Sequence, residues 1–153
     1  MEPLRIGLIS DTHGLLRPEA RVALRGCAHI LHAGDICDPS VLDKLAEIAP
    51  VTAVRGNNDR GAWAEALPVQ TVVSFGGVRV CMVHDAADFS PEGEVDVVVT
   101  GHSHKPAIRM DGKLLHVNPG SAGPRRFTLP ISVGFLEIAD GRARARLQTL
   151  EVD

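Results

Sequence analysis

Aromatic side chains are scarce in this sequence of 153 residues, which has no tyrosine, one tryptophan and four phenylalanines. Proteins that bind single-stranded nucleic acid stack the bases on aromatic rings, so this sequence is poorly equipped for that role. The formal net charge is −3, whereas duplex binding without sequence preference depends on a surplus of basic residues. Composition therefore argues against nucleic acid as a partner.

Cysteine is also sparse, and its pattern excludes a disulfide framework. Cys27, Cys37 and Cys81 are odd in number and form no C-x-x-C pair, which predicts reduced thiols in a cytoplasmic protein. No apolar run approaches the roughly 18 residues of a membrane-spanning helix, and no signal peptide is recognisable, so we expect no membrane association. The length fits one domain over residues 1–153, large enough to bury a core.

The first apolar run ends abruptly in polar side chains. Residues 4–9 read as a buried strand, and Asp11 and His13 follow it directly. In extended backbone, residues two apart leave the strand on the same face, so both side chains would reach the carboxyl edge of a sheet. A surface turn is the alternative for an isolated D-x-H. Later segments repeat the pattern, and this favours a site. They are Gly34-Asp35, Gly56-Asn57-Asn58-Asp59, His84 and Gly101-His102-Ser103-His104.

The order of the segments predicts the fold class. Strands are predicted at 4–9, 29–33 and 51–54, with helices at 17–26 and from 39 to about 50 between them. A hairpin of strands 69–73 and 78–83 turns at Gly76-Gly77. Further strands are predicted at 95–100, 114–117, 131–138 and 144–152. This order predicts an α/β protein in which two sheets pack face to face, with helices mainly outside.

The side chains that follow the strands form a set of metal-binding types. The set contains Asp11, His13, Asp35, Asn57, His84, His102 and His104. These donors are about enough for two divalent ions, roughly 3.5–4 Å apart, that share Asp35. The absence of cysteine excludes a structural zinc site. Mixed carboxylate, amide and imidazole donors suit manganese first, with nickel, iron, zinc and cobalt as alternatives. Such a pair would bind a bridging hydroxide and hold a phosphoryl group for in-line attack.

The ordered motifs resemble those of the calcineurin-like metallophosphoesterase superfamily, and most closely its small single-domain bacterial and archaeal phosphodiesterases. The resemblance covers nearly the whole chain. It implies a four-layer α-β-β-α sandwich of two mixed sheets flanked by helices, with a dinuclear metal centre. It also implies which residues hold each ion. Asp11, His13, Asp35 and His104 would hold the first ion; Asp35, Asn57, His84 and His102 would hold the second.

Three departures from the family pattern bear on catalysis. Many members have a histidine after the metal-binding asparagine as general acid, and this chain has Asn58, which cannot serve as one. Asp59 is the alternative acid, although orienting the loop is its simpler role; together, Asp35, Asn57, Asn58 and Asp59 form the expected catalytic set. His84 precedes Asp85-Ala86 instead of Gly-His. The segment 85–94 is too short for the helix expected there, which would leave that flank open.

Two further groups of residues have open assignments. His32, on the second strand, is either a packed histidine or an outer partner of a metal ligand. Asn118 begins the turn Asn118-Pro119-Gly120-Ser121, which the family places beside the site. Arg125 and its neighbour Arg126 either clamp a phosphate or lie in a solvated loop.

The sequence thus predicts a metal-dependent phosphodiesterase that acts on a small phosphate ester. Without a clear general acid, good leaving groups such as aryl alcohols should react best. The main alternative is a non-catalytic scaffold, as in the retromer subunit of the same fold. A nuclease fits the chemistry but not the composition. The sequence leaves open the natural substrate and the choice between a monomer and a homo-oligomer.

Overall fold

The computed structural model describes residues 3–91 and 93–152. The strands in this part of the chain are β1 (Leu4–Ile9), β2 (His29–His32), β3 (Val51–Ala53), β4 (Gln70–Phe75), β5 (Val78–Val83), β6 (Val97–Val99), β7 (Ala107–Asp111), β8 (Leu114–Asn118), β9 (Ser132–Ala139) and β10 (Arg142–Thr149). The helices are α1 (Pro18–Ala23), α2 (Pro39–Ala46) and α3 (Ala62–Glu65), and a 3₁₀ turn spans Ala86–Asp88.

The strands form two mixed sheets of five strands each. The first has the order β10-β9-β1-β2-β3, and the second has the order β4-β5-β6-β8-β7. Each contains three neighbouring parallel strands: β1, β2 and β3 in the first sheet, and β5, β6 and β8 in the second. Because parallel strands end at the same edge, each sheet presents three strand ends together, and five of these six ends carry the predicted metal ligands.

Helix α2 covers the first sheet. Residues at its beginning cap it, and its apolar side chains pack against the sheet. Asp38 caps α2 by accepting a hydrogen bond from the backbone N–H of Ser40 at 2.9 Å, and Pro39 occupies the first turn. Val41 and Leu45, one turn apart on α2, are both buried. They belong to a cluster with Ile9, Ile30 and Phe135 of the first sheet. This cluster holds the helical layer against the sheet.

A second apolar cluster lies between the two sheets. The first sheet contributes Ile6, Leu8, Leu31, Leu136 and Ile138, and the second contributes Val78, Val80, Met82, Val97, Val99, Leu115 and Val117. Within one strand these positions are two apart, as expected for a face that packs on another sheet. Burial of this face fixes the spacing of the two sheets, and with it the distance between their strand ends.

The predicted fold class is confirmed: the protein is α/β, with two mixed sheets packed face to face and helices outside. Short elements were missed, namely β7 at the edge of the second sheet and the single-turn helix α3. Strand β6 is shorter than predicted, spanning Val97–Val99, and the Asp96 carboxylate just before it accepts the backbone N–H of Arg79 at 2.8 Å. The connection from β5 to β6 is reduced to the 3₁₀ turn Ala86–Asp88, as its length predicted.

No helix among the described residues is long and apolar enough to cross a membrane.

Replacement of Leu31 by alanine tests the packing between the sheets. Leu31 is fully buried in the inter-sheet cluster, so Leu31→Ala should lower the free energy of unfolding by about 2–5 kcal/mol. Urea denaturation followed by circular dichroism measures this loss. Val22→Ala on the exposed face of α1, where Val22 is 56% accessible, is the control and should change stability by less than about 0.5 kcal/mol. Equal effects of the two changes would contradict this account of the core.

Candidate metal centre

Five of the parallel strands deliver polar side chains to one edge of the sandwich. Asp11 and His13 follow β1, Asp35 follows β2, Asn57 follows β3, His84 follows β5, and His102 and His104 follow β6. Asp11, Asp35, His84 and His104 are buried, whereas His13 is partly exposed. The sequence-predicted ligands therefore lie at the carboxyl ends of strands, where open α/β sheets bind their ligands.

Backbone hydrogen bonds hold the loops of the first sheet side by side beyond the strands. The N–H of Asp11 donates to the carbonyl of Gly34 at 3.0 Å, and the N–H of His13 donates to the carbonyl of Asp35 at 2.9 Å. The ladder of β1 and β2 thus continues into the two loops. As a result, the carboxylates of Asp11 and Asp35 come together from segments that are far apart in sequence.

His84 links the two sheets at this edge. Its Nδ1 lies 2.8 Å from the carbonyl oxygen of Ala33, which follows β2 in the other sheet. A carbonyl oxygen only accepts, so Nδ1 carries the proton and donates. The lone pair of the neutral ring is then on Nε2. Nε2 lies 3.3 Å from Oδ2 of Asp35 and 3.9 Å from Oδ1 of Asp11. The bond to Ala33 thus aims Nε2 of His84, the nitrogen available to a metal, at both carboxylates.

The backbone at the site is strained. Five of the predicted ligands have a positive φ, which non-glycine residues rarely adopt. They are Asp11 (54°), His13 (46°), Asp35 (57°), His102 (70°) and His104 (62°). Each such residue costs of the order of 1–2 kcal/mol. Strain of this kind persists only where the surroundings impose it, and its concentration at one sheet edge indicates a functional site.

The ligand atoms fall into two groups. Asp11, His13 and His104 form one group, and Asp11, Asp35 and His84 form the other, with the atoms of each group within 4.8 Å of one another. Asp11 belongs to both groups. Oδ2 of Asp35 also lies between them, 3.8 Å from Nε2 of His13 and 3.3 Å from Nε2 of His84.

Asn57 and His102 lie at the exposed rim of this arrangement. Oδ1 of Asn57 is 3.2 Å from Nδ1 of His102, and the His102 ring packs edge-on against His84 with 5.2 Å between centroids. Nε2 of His102 faces Oδ2 of Asp85 at 3.7 Å. Within the described residues, His102 is therefore next to the two ligand groups without being a member of either.

Asn58 holds the Asp35 carboxylate with two hydrogen bonds. Its backbone N–H donates to Oδ1 at 2.9 Å, and its side-chain amide donates to Oδ2 at 3.0 Å. Burial would raise the pKa of Asp35, but the neighbouring His84 ring and the two N–H groups of Asn58 lower this pKa well below its usual value. Asp35 is consequently an anion, as a metal ligand must be.

The Asp59 carboxylate binds backbone N–H groups of the loops. Its Oδ2 accepts the N–H of Asp35 at 3.0 Å and of Gly56 at 2.8 Å, and its Oδ1 accepts the N–H of Cys37 at 2.8 Å. A buried carboxylate with both oxygens occupied by backbone N–H donors orients the loops that carry those groups. These contacts favour the loop-orienting alternative for Asp59 over the role of acid.

Glycine at position 56 is required by this close approach. A Cβ on Gly56 would lie 2.3 Å from both the backbone nitrogen and Oδ1 of Asp35. A Cβ on Gly101 would similarly lie 2.1 Å from Oγ of Ser10 and 2.7 Å from Oδ2 of Asp11. The glycines that precede Asn57 and His102 in sequence therefore make room for the two carboxylates.

His32, the last residue of β2, binds the loops that carry the predicted ligands. Its Nδ1 accepts the N–H of Gly34 at 3.1 Å, so the proton is on Nε2, which lies 3.0 Å from Oγ1 of Thr12. Thr12 in turn donates to the carbonyl of Ile36 at 3.3 Å. Complete burial lowers the pKa of His32 to about 3, helped by the nearby His84. His32 is therefore neutral and joins the two loops that carry the predicted ligands through its bonds to Gly34 and Thr12.

The turn that begins at Asn118 braces the site. The Asn118 amide donates to the carbonyl of Gly101 at 2.9 Å and to Oγ of Ser103 at 3.1 Å. Ser121 donates to the carbonyl of Asp11 at 3.0 Å. Ser121 and Ser10, which donates to Oδ2 of Asp11 at 2.6 Å, were not identified from the sequence. Their only sequence signal is the position of Ser10 beside Asp11 and of Ser121 in the turn motif.

The arginines after this turn differ in their relation to the site. Both Arg125 and Arg126 are exposed. Burial lowers the pKa of His104, the charge of Asp11 opposes this, and the positive charge of Arg126 adds to the lowering. Arg126 is therefore within electrostatic range of the ligand His104.

The residues present fit divalent cations. Within the described residues, Oδ1 of Asp11 and Nε2 of His84, which lie 3.9 Å apart, are buried and have no hydrogen-bond partner. Buried polar atoms without partners are rare and require an explanation such as a bound ion. Burial lowers the pKa of His84, yet Asp35 and Asp11 raise it on balance. The two carboxylates thus attract positive charge to this place, and oxygen with imidazole donors suits transition metals.

Comparison with known proteins identifies the family. The family model described as the calcineurin-like phosphoesterase superfamily domain matches residues 4–141, and the chain belongs to this superfamily. A probable metallophosphoesterase of Methanothermobacter thermautotrophicus is 37% identical over 142 residues, which cover 82% of this chain and 81% of that protein.

The chain is also similar to two further proteins. The phosphodiesterase YfcE of Escherichia coli K12 is 28% identical over 88% of each chain. The solved structure of E. coli YfcE aligns with a TM-score of 0.70 and 25% identity, over 97% of this chain and all of that chain (100%). Vps29 of Chaetomium thermophilum aligns with a TM-score of 0.77 and 21% identity, over 96% and 97% of the two chains. The last likeness shows a shared fold.

The neutral His32 predicts a pH dependence of stability. Its pKa is lowered to about 3 in the folded protein and is about 6.5 in an unfolded chain. Between these values the unfolded state binds one more proton, so stability from this residue falls as the pH drops from about 6.5 to about 3, by up to about 1.4 kcal/mol per pH unit. Urea unfolding of chelator-treated protein at pH 7 and pH 4.5 measures the loss.

The matched variant is His32→Gln, whose amide does not titrate. It should be less stable than the wild type at pH 7 and should lose less stability on acidification. An equal loss in the two proteins would show that His32 does not contribute to the acid sensitivity.

Proposed function

We propose that this protein is a metal-dependent phosphodiesterase with a centre for two divalent ions, manganese being the first choice. The observation that carries the proposal is the convergence of Asp11, Asp35, His84 and His104, with unpartnered buried donor atoms, at one sheet edge. The E. coli relative, which is named as a phosphodiesterase, supports the choice of diesters.

The proposed ligand sets follow the sequence motifs. Asp11, His13, Asp35 and His104 would hold one ion, and Asp35, Asn57, His84 and His102 would hold the other. When bound, the ions would activate a water for attack on phosphorus and neutralise the charge that develops on the phosphoryl oxygens.

The chain's own residues prepare this site. Asn58 fixes the orientation of the Asp35 carboxylate through both of its N–H donors. The Nδ1–H of His84, which donates to the carbonyl of Ala33, presents Nε2 to the centre. The positive charge of Arg126 acts on His104 and would attract an anionic ester. These groups position ligands and substrate before the reaction, which is the main contribution of a protein to phosphoryl transfer.

A general acid for the leaving group is not evident among these residues. Asn58 has an amide, which does not release a proton at ordinary pH, and the carboxylate of Asp59 accepts three backbone N–H groups. The departing alcohol must then leave as an anion or take its proton from water. We therefore propose that esters of acidic alcohols are the better substrates.

Metal dependence and substrate class are tested with one pair of substrates. After removal of metals and reloading with Mn²⁺, bis(p-nitrophenyl) phosphate should be hydrolysed faster than p-nitrophenyl phosphate. Asp35→Asn should lower this activity by at least about 10³-fold, because it removes a charged ligand of both ions. Release of nitrophenol is followed by absorbance, and Mn²⁺ binding is measured by calorimetry.

Each outcome has a clear meaning. Faster turnover of the monoester would keep the metal centre but reject the phosphodiesterase assignment. Tight Mn²⁺ binding without turnover of either ester would favour the non-catalytic scaffold, which shares the fold.

The role of Asn58 is tested by restoring a titratable side chain. Asn58→His should increase the rate with alkyl esters relative to aryl esters, by about tenfold or more, since a general acid contributes typically 10²–10⁴-fold. The aryl-to-alkyl ratio of kcat/KM is measured from pH 5 to 9. Asn58→Ala is the control and should leave the ratio unchanged while it weakens Mn²⁺ binding. Comparable rates with alkyl and aryl esters in the wild type would contradict the absence of a general acid.

A further inference from the structure

The thiol of Cys37 contacts two neighbouring loops at the edge of the first sheet. Cys37 itself lies in the loop after β2, two residues beyond Asp35. Its Sγ is 3.6 Å from Nδ1 of His13, in the loop after β1, and 3.8 Å from the carbonyl oxygen of Asn58, in the loop after β3. The thiol therefore connects the predicted ligand His13 to the residue that holds the Asp35 carboxylate.

The two partners of the thiol determine the direction of each hydrogen bond. The carbonyl oxygen of Asn58 only accepts, so the S–H of Cys37 donates to it. The sulfur has no second proton, and it therefore accepts from the His13 ring. Nδ1 of His13 then carries the ring proton and donates it to Sγ. The lone pair of the neutral His13 ring is consequently on Nε2.

This tautomer is the one that a metal ion requires of His13. Its Nε2 lies 3.9 Å from Oδ1 of Asp11 and 3.8 Å from Oδ2 of Asp35. The same nitrogen is 3.4 Å from Nε2 of His104. These atoms belong to the ligand set proposed for the first ion. His84 is oriented in the same way by the hydrogen bond of its own Nδ1. A metal-binding histidine generally donates its other N–H to an acceptor, which fixes both the ring and the tautomer.

The backbone around Cys37 fixes the position of the sulfur. The φ of Cys37 is 67°, a value that residues with a Cβ rarely adopt and that persists where the surroundings impose it. The Cys37 N–H donates to Oδ1 of Asp59 at 2.8 Å. In the same loop, the carbonyl of Ile36 accepts the N–H of Gly14 at 2.8 Å. The Cys37 loop is thus tied to the loops after β1 and β3 on both sides of the thiol.

Cys37 acts on the centre through the His13 ring and not as a ligand. Among the described residues, its Sγ belongs to neither of the two groups of donor atoms that converge within 4.8 Å. It contacts Nδ1 of His13, whereas Nε2 is the nitrogen directed at the carboxylates.

We propose that Cys37 is a positioning residue of the metal centre, whose sulfur accepts the Nδ1–H of His13 and thereby presents Nε2 to the first ion. The inference rests on the proposed metal centre and deepens it by one residue that acts through a ligand.

Replacement of the thiol tests its effect on metal binding. Cys37→Ala should weaken the binding of Mn²⁺ by about tenfold or more, because loss of the outer partner of a ligand typically costs 10–100-fold in affinity. Cys37→Ser should recover most of this loss, since a hydroxyl also donates one hydrogen bond and accepts others. Both variants keep a Cβ at this position, so the backbone strain is matched. Calorimetry of Mn²⁺ binding measures the affinities, and equal binding by the wild type and Cys37→Ala would overturn the inference.

A double-mutant cycle separates positioning of His13 from a general effect on the fold. In a His13→Ala background the sulfur has no ring to orient, so Cys37→Ala should cause no further loss of Mn²⁺ affinity. A loss of the same size in both backgrounds would show that the thiol acts on the loops in general, which would overturn the role assigned to Cys37.

The tautomer of His13 gives a readout that requires neither metal nor turnover. Long-range ¹H–¹⁵N spectra of the metal-free protein at pH 8, assigned by comparison with His13→Ala, should show the ring proton on Nδ1 in the wild type. Cys37→Ala should move the population towards the Nε2–H form. A proton on Nε2 in the wild type would overturn the inference. A sulfur-to-metal charge-transfer band in the Co²⁺-loaded protein would also overturn it, because it would make Cys37 a ligand.

These measurements distinguish the role of Cys37 from the proposed activity. Weaker Mn²⁺ binding by Cys37→Ala, with no ester hydrolysis by the wild type, would keep the role of Cys37 and overturn the phosphodiesterase. Hydrolysis by the wild type, with unchanged Mn²⁺ affinity in Cys37→Ala, would keep the phosphodiesterase and overturn the role of Cys37. Failure of the wild type to bind Mn²⁺ would overturn both.

Discussion

The burial of two carboxylates at one edge of the sandwich is the constraint on which the site depends. Asp11 and Asp35 are almost inaccessible to solvent, and the side chains that face them within 4 Å are imidazoles. Buried anions are costly unless they are paired and hydrogen-bonded. Ser10, Asn58 and the N–H of His102 supply hydrogen bonds, but Oδ1 of Asp11 accepts none. The negative charge of these carboxylates that hydrogen bonds leave uncompensated would attract a cation.

The two sheets are jointly required to meet this constraint. The carboxylates come from the first sheet, and His84 and His104 come from the second. The apolar cluster between the sheets sets their spacing, and the bond from His84 to Ala33 sets the register of the two edges. Packing energy from Leu8, Leu31 and their partners thus offsets the strain of five ligands with positive φ. The positive-φ residues of the site lower the stability of the fold, and the packing between the sheets raises it, a combination that is common at functional sites.

The sequence predicts the strands and their ends because both are local signals. An apolar run that stops at Asp11 or at Gly101-His102 marks a strand end without knowledge of the rest of the chain. The roles of Asn58 and Asp59 are different, since they depend on which backbone N–H groups of residues 35 and 37 come within reach. Such contacts are set by the packing of distant loops. Edge strand β7 was missed for a related reason, because all five of its residues are exposed and give no burial pattern.

The departures from the family pattern act on the same part of the reaction. Asn58 removes the proton donor on the leaving-group side, and the short 85–94 connection opens the flank beside Asn57 and His84. Without an acid, departure depends on the acidity of the alcohol, so the enzyme gains from controlling which ester group is held and which is free to leave. A cavity beside Asn57 and His84 lies where such control would act.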